Sequence, residues 1–196
     1  MIEVLFATAV FSLVAVSALS IMNQGANTAQ RALEIALVRQ EIDSQAETLR
    51  FLNASYIAAF GTNYAPNSAA DQWNKIQASA LNQEASAFGT GSACPQSTTD
   101  LRKSSFILDS KKVTFMQLVI GKFIASKTFS QIEYANDNSI ISADGIWIEA
   151  VRPTMPPGNN QDNADYIDFN IRACWDSPGQ STPVTLGTIV RLYEPL

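Results

Sequence analysis

Histidine is absent from this chain of 196 residues, and charged residues are scarce. Without histidine, the chain cannot build a Ser-His-Asp triad, use histidine for acid/base catalysis or ligate a metal through imidazole. Charged residues make up 16% of the chain, against about 25% in an ordinary globular protein. The net charge of −5 also argues against a general nucleic-acid binder, which needs a basic surface. An ordinary cytosolic enzyme is therefore a poor fit.

Two further absences narrow the choice of function. The chain has only two cysteines, too few for a disulfide-rich miniprotein or a zinc cluster. It also lacks a glycine-rich phosphate loop, and its carboxylates have no spacing that indicates catalysis. We predict that the chain is not an enzyme and holds no cofactor.

What the sequence does contain is one long apolar run near its start. Residues 4–22 include no charge, no proline and no glycine. At helical rise these residues span roughly 28 Å, about the thickness of a bilayer core. The few polar side chains are hydroxyls that can bond back to the helix backbone: Thr8, Ser12, Ser17 and Ser20. The run predicts a membrane helix; a secretory signal peptide and a buried core helix are the alternatives.

An amphipathic pattern follows the apolar run. Apolar residues recur at spacings of three and four from Ile35 to Leu52, with Gln45 as the polar exception. We predict one helical region over residues 1–54, with residues 1–24 in the membrane or a filament core and residues 25–54 amphipathic. The alternative is a membrane helix joined to a separate helical linker. Gly25 does not decide between them, because one glycine costs a helix only about 1 kcal/mol.

The remaining residues, 55–196, are predicted to form a globular α+β domain. Asn67 or Ser68 is suited to cap a short helix that runs through Trp73, Ile76 and Leu81. The predicted strands are residues 106–108 and 113–115 as a hairpin, part of 118–129, then 146–151, 166–175 and 188–193, with 177–187 as a loop. Odd-numbered residues are apolar throughout 166–175, which predicts an antiparallel sheet with one buried face. The amphipathic half of the helix is the natural cover for that face.

The two cysteines lie in this second part of the chain. Cys174 falls within the alternating strand, on its polar side, and Cys94 precedes the sheet. If the globular part is extracytoplasmic, we expect a Cys94–Cys174 disulfide. Two free thiols of a cytosolic protein are the alternative.

The N-terminus resembles that of the type IV pilin and pseudopilin family. Ile2-Glu3-Val4-Leu5, followed by an apolar and then an amphipathic helix, is similar to the family's Phe-Thr-Leu-Ile-Glu-Val and to a class III-type prepilin helix. The chain departs from the family in lacking its common mid-helix proline and any leader before the motif. We expect the true start to lie upstream of Met1, or the sequence to describe most of a processed chain. The resemblance implies a pilin-like lollipop, a long N-terminal α-helix packed on a C-terminal antiparallel β-sheet domain.

The resemblance also implies a function. The chain would be a structural subunit of a type IV pilus, assembled by bundling of identical helices, with a role in adhesion and motility. Glu3 would pair with the amino terminus of a neighbouring subunit and set the axial register; the alternative is that Glu3 simply lies at the membrane surface. The implied filament-core positions are Val4, Leu5, Phe6, Val10, Phe11, Leu13 and Val14.

The implied partners are further copies of the chain, the inner-membrane assembly machinery, a prepilin peptidase and a host-cell surface. The subunit would be a single-pass membrane protein before assembly and part of a cell-surface filament afterwards. The alternatives are a pseudopilin of a type II secretion system, a minor or tip pilin, or a membrane-anchored extracytoplasmic binding protein that never polymerises.

Two other groups of residues are candidates for a cation site and a DNA-binding patch. Asp162 and Asp165 lie in an Asn/Asp-rich segment whose oxygens suit Ca²⁺, although an Asx-rich turn explains the segment better. Lys111-Lys112 and Arg102-Lys103 are candidates for a small basic patch that contacts DNA, although lysines in a hairpin turn are usually only solvated.

Overall fold

The computed structural model describes residues 2–80, 93–152 and 166–195. The chain divides into two compact units, Met1–Ala36 and Leu37–Leu196. The first helix, α1, runs without interruption over Ile2–Ala59 and so contributes residues to both units. The predicted long N-terminal helix is therefore confirmed, and it ends slightly later than residue 54. Gly25 does not interrupt it.

The described part of the second unit contains one further α-helix, α2, at Ala69–Ser79. The Ser68 hydroxyl accepts a hydrogen bond from the Asp71 N–H, and the Asp71 carboxylate accepts one from the Asn67 N–H. These reciprocal bonds satisfy backbone donors that a helix N-terminus leaves open. The bond from the Asn67 N–H, together with Lys75, lowers the pKa of the Asp71 carboxyl. Of the two predicted capping residues, Ser68 is the one that caps.

Eight strands follow in chain order within the described residues. They are β1 Phe106–Asp109, β2 Thr114–Gln117, β3 Phe123–Ile124, β4 Gln131–Tyr134, β5 Ile140–Asp144, β6 Ile146–Val151, β7 Tyr166–Trp175 and β8 Val184–Tyr193. The predicted hairpin is present as β1 and β2, and the predicted strands 146–151 and 166–175 match β6 and β7. The α+β class is confirmed.

The main sheet has five antiparallel strands in the order β2-β1-β6-β7-β8. Strands β7 and β8 pair over ten consecutive residues, from Tyr166↔Tyr193 to Trp175↔Val184. The predicted loop over residues 177–187 extends too far, because β8 begins at Val184. Gly187 made this stretch resemble a loop, yet it lies opposite Arg172 and the pairing with β7 holds it extended.

A second sheet, in the order β3-β5-β4, was not predicted apart from a strand within residues 118–129. Strand β3 runs parallel to β5, and β4 runs antiparallel to it. A single residue, Gly145, separates β5 from β6, so the chain passes from one sheet directly into the other. Gly145 has a φ of 64°, and an added Cβ would lie 2.4 Å from the Cys174 carbonyl oxygen. Only glycine fits at this junction.

The core on one side of the main sheet is aromatic. The ring of Phe169 in β7 lies 5.6 Å from that of Trp73 in α2 and 6.5 Å from that of Phe106 in β1. The apolar stripe of α1 is also buried, at Val38, Ile42, Ala46, Leu49 and Leu52. Each fully buried side chain of this size contributes about 1.5–3 kcal/mol to folding.

The expectation of a single buried face was wrong. All six residues of β6 are buried, and so is Arg172 on the polar side of β7. The second face is covered because β3 lies over it: the Phe123 ring stands edge-on to Trp147 at 6.0 Å. Arg102 reaches the Glu149 carboxylate on the same face at 3.9 Å.

Candidate functional site: the apolar start of the first helix

Among the described residues, α1 is the one helix long and apolar enough to cross a membrane. None of its apolar window is buried, whereas the core helix of a soluble protein would be mostly buried. A signal sequence near an N-terminus passes the same test of length and composition. The segment is compatible with membrane anchoring.

Three of the four hydroxyl groups in this segment donate to carbonyls of the helix itself. Thr8 donates to the Leu5 carbonyl at 3.0 Å, Ser12 to that of Thr8 at 2.7 Å, and Ser17 to that of Leu13 at 2.7 Å. An unpaired hydroxyl in hydrocarbon would cost several kcal/mol. These three bonds follow the sequence prediction, and they allow the segment to enter an apolar medium without unpaired hydroxyls at these positions.

Glu3 lies in the first turn of α1 and is exposed. A carboxylate is favoured there by about 0.3–1 kcal/mol, because unpaired N–H groups give a helix N-terminus partial positive charge. The same carboxylate opposes burial in lipid, where insertion of an acidic residue at a helix centre costs about 2.5–3.5 kcal/mol. Glu3 is the only charged residue between Ile2 and Met22.

The predicted filament-core side chains are all solvent-exposed, between 45% and 75%. They are Val4, Leu5, Phe6, Val10, Phe11, Leu13 and Val14. Ordinary protein surfaces expose large apolar side chains singly rather than in continuous runs. The exposed run therefore indicates a surface that lipid or another protein covers.

The chain has been compared with known protein families, curated proteins and solved structures, and it matches none of them.

A disulfide joins Cys94 to Cys174, as the sequence predicted for an extracytoplasmic domain. It attaches the segment before β1 to β7, next to the Gly145 junction. The Cys174 N–H donates to the Gly145 carbonyl at 2.8 Å, and the buried Ser130 hydroxyl reaches the carbonyls of both residues. The cross-link thus anchors the point where the two sheets meet.

The predicted cation and DNA sites gain no support from this geometry. Asp162 and Asp165 lie outside the described residues, and the described part of the chain holds no group of three or more potential metal-ligating His, Cys, Asp or Glu residues. The Arg102 guanidinium lies 3.9 Å from the Glu149 carboxylate, and the Lys111 ammonium lies 3.9 Å above the Tyr134 ring. Both cations thus have partners within the protein.

Sequence reasoning missed a buried charged cluster on the second face of the sheet. Glu149 lies 3.9 Å from Arg102 and shares a face of the sheet with Arg172, and the Trp147 indole N–H donates to its carboxylate at 3.2 Å. Burial lowers the pKa of Arg172, and the charge of Glu149 opposes that effect. Alternation within β6 and β7 places these residues on one face, but it does not show that Phe123 of β3 packs on that face.

Glu41 on α1 is a half-buried acid. It lines a shallow cavity of about 340 Å³ together with Gln40, Ser44 and Gln131. Burial raises the pKa of the Glu41 carboxyl, while a hydrogen bond with Gln45 and the charge of Lys111 lower it. The sequence showed this residue only as one of several charges on the polar side of the helix.

Proposed function

We propose that this chain is a structural subunit of a type IV pilus or a related filament, held in a membrane by α1 before assembly. The observation that carries the proposal is the position of Glu3. It is a lone carboxylate in the first turn of a helix whose large apolar side chains over residues 4–22 are all exposed. A simple membrane anchor does not need an acidic residue there.

The exposed apolar run needs a cover. Water is excluded as the lasting environment, because each large side chain that leaves water gains about 1.5–3 kcal/mol. Lipid and a bundle of identical helices both provide an apolar cover, so hydrophobicity alone does not favour one over the other. The transfer from membrane to bundle therefore needs a more specific contact. Small residues let helices approach closely; on α1 they are Ala7, Ala9, Ser12, Ala15, Ser17, Ala18 and Ser20.

Glu3 supplies that specific contact in our proposal. A carboxylate in an apolar medium is destabilising until a cation pairs with it. The amino terminus of a neighbouring subunit is such a cation, and pairing with Glu3 would set how far one helix is displaced along the next. The pair would offset the cost of moving Glu3 away from the membrane surface.

The second unit, which contains the disulfide, would then form the filament surface and mediate adhesion or surface attachment. A membrane peptidase would process the precursor, and an inner-membrane machinery would drive assembly. Pseudopilins of type II secretion systems and minor or tip pilins share the same helix chemistry. An anchored binding protein shares only the membrane segment.

The deciding experiment replaces Glu3→Gln in cells that make the protein, and it follows filaments by electron microscopy and the chain by membrane fractionation. Glu47→Gln is the matched control, because Glu47 is an exposed acid further along α1 with a side chain 72% accessible. We expect the Glu3 variant to remain in the membrane and to form no filaments, while the control forms them normally.

Filaments of normal number and length in the Glu3 variant would overturn the assembly role. Absence of the wild-type chain from every sheared filament, with full retention in the membrane, would favour an anchored binding protein instead. Mass spectrometry of the filament subunit separates these outcomes.

A further inference from the structure

Strand β8 is a long edge strand whose open side is left largely unprotected by the described residues. It pairs with β7 over ten residues without a bulge, and it has no second partner among the described strands. It contains no proline, and Arg191 is its one charged residue. Natural proteins usually shorten, bend or charge such edges, because the free N–H and C=O groups would otherwise pair with another chain.

The other end of the same sheet is protected. Edge strand β2 has four residues, and Gln72 on α2 accepts a hydrogen bond from the Phe115 N–H at 3.0 Å. The edge strands of the second sheet, β3 and β4, have two and four residues. On β8 the one described side-chain contact to the backbone is at its last residue, where Asn53 donates to the Tyr193 carbonyl at 3.1 Å.

The side chains of β8 are suited to being covered. All odd-numbered residues of the strand are exposed, including Ile189 at 67% and Tyr193 at 63%. The charge of Arg191 is already neutralised, since its guanidinium binds both Asp168 oxygens at 2.7 and 2.8 Å and stacks on Tyr166. The edge therefore presents apolar and neutral surface rather than a repelling charge.

We propose that β8 pairs antiparallel with β8 of a second copy of this chain, centred on Ile189. A ten-residue edge is best matched by another ten-residue strand. Among the described strands only β7 and β8 have that length, and β7 is interior, so β8 of a second copy is the matching partner. With Ile189 opposite Ile189, Arg191 faces Gly187 of the other copy and Tyr193 faces Thr185. No like charges are opposed, and the absent side chain of Gly187 leaves room for the guanidinium. The two main sheets become one continuous sheet.

This contact differs in symmetry from filament growth. The β8 pair is two-fold symmetric, whereas a filament built by one repeated screw operation uses head-to-tail contacts. The pairing therefore joins copies laterally, either before assembly or between neighbouring filaments. It does not depend on the filament role of Glu3.

Cysteine cross-linking of the full-length chain in native membranes tests the pairing. Both native cysteines are in the disulfide, so one introduced cysteine supplies the only thiol. Ile189→Cys should give a covalent dimer under mild oxidation, because directly opposed residues lie within reach of a disulfide. Thr185→Cys is the matched exposed control. It should give none, because the two copies of residue 185 would be about 27 Å apart.

Chains with Thr185→Cys and chains with Tyr193→Cys, expressed together, should cross-link to each other. Addition of Ile189→Lys to both should abolish that product, because two ammonium groups would then face each other. The same cross-linked products should form when the chain also carries Glu3→Gln. Loss of filaments without loss of these products would then distinguish a failure of filament assembly from a failure of β8 pairing.

Equal cross-linking of the Ile189 and Thr185 variants would overturn the proposal. So would a product in which Ile189→Cys is joined to a different protein and not to a second copy.

Discussion

The side-chain amide of Gln45 binds both backbone polar groups of Leu108. Its Nε2 donates to the Leu108 carbonyl at 2.8 Å, and the Leu108 N–H donates to its Oε1 at 2.8 Å. Both residues are fully buried. Strands β1 and β6 are in register only at Phe106↔Ile148, so beyond that point α1 takes the place of a neighbouring strand. One polar residue in an apolar stripe thus links the helix to the sheet.

Replacement of Gln45→Met should lower the free energy of unfolding by about 2–4 kcal/mol, because it leaves a buried N–H and a buried C=O without partners. Gln40→Met, on the exposed side of the same helix, should change it by less than about 0.5 kcal/mol. Urea denaturation of the full chain in detergent measures both. Equal midpoints for the two variants would show that the Gln45 amide makes no net contribution.

Replacement of Gly145→Ala should destabilise the protein strongly. The new methyl group would meet the Cys174 carbonyl oxygen, and the positive φ is itself unfavourable for alanine. Gly121→Ala is the matched control, because Gly121 also has a positive φ of 82° but nothing within 4 Å of the added Cβ. The control should lose about 1–2 kcal/mol from backbone strain alone.

The difference between the two glycine variants isolates the steric effect at the junction of the sheets. Thermal unfolding monitored by tryptophan fluorescence gives this difference. A Gly145 variant no less stable than the Gly121 variant would mean that β5 and β6 can separate from β7 at little cost.

Removal of the disulfide by Cys94→Ala together with Cys174→Ala should lower the free energy of unfolding by about 4 kcal/mol on the chain-entropy model. The effect is large because the bond closes a loop with a sequence separation of 80. Urea midpoints with and without dithiothreitol provide the check. Dithiothreitol should shift the wild-type midpoint and leave that of the double variant unchanged, whereas a wild type insensitive to complete reduction would contradict the prediction.

Local sequence patterns predicted much of the fold. The long helix, the α2 cap at Ser68, the β1–β2 hairpin and the limits of β6 and β7 all follow from signals within a few residues of each element. The apolar start of α1 and the position of Glu3 were also readable from the sequence, because they depend on residue type and order alone. The filament role of that segment remains a prediction.

The tertiary structure decided what depends on distant partners. The second sheet escaped prediction because β3 and β4 are too short to show alternation. Arg102 lies beside the buried Glu149, and no pattern within β6 or β7 records such a partner. In the sequence, Gln45 is only a polar exception in the apolar stripe. In the structure, its amide binds the backbone of Leu108.

The sequence by itself therefore determined the elements and the apolar surface near the N-terminus, since periodicity and hydropathy are local properties. Only the tertiary structure decided which edges of the sheets are protected and which polar residues are satisfied. Hydrogen bonds such as that from Phe115 to Gln72 join residues far apart in the chain. Among the described residues, most of β8 has no such bond on its open side, which is visible only once the sheet is formed.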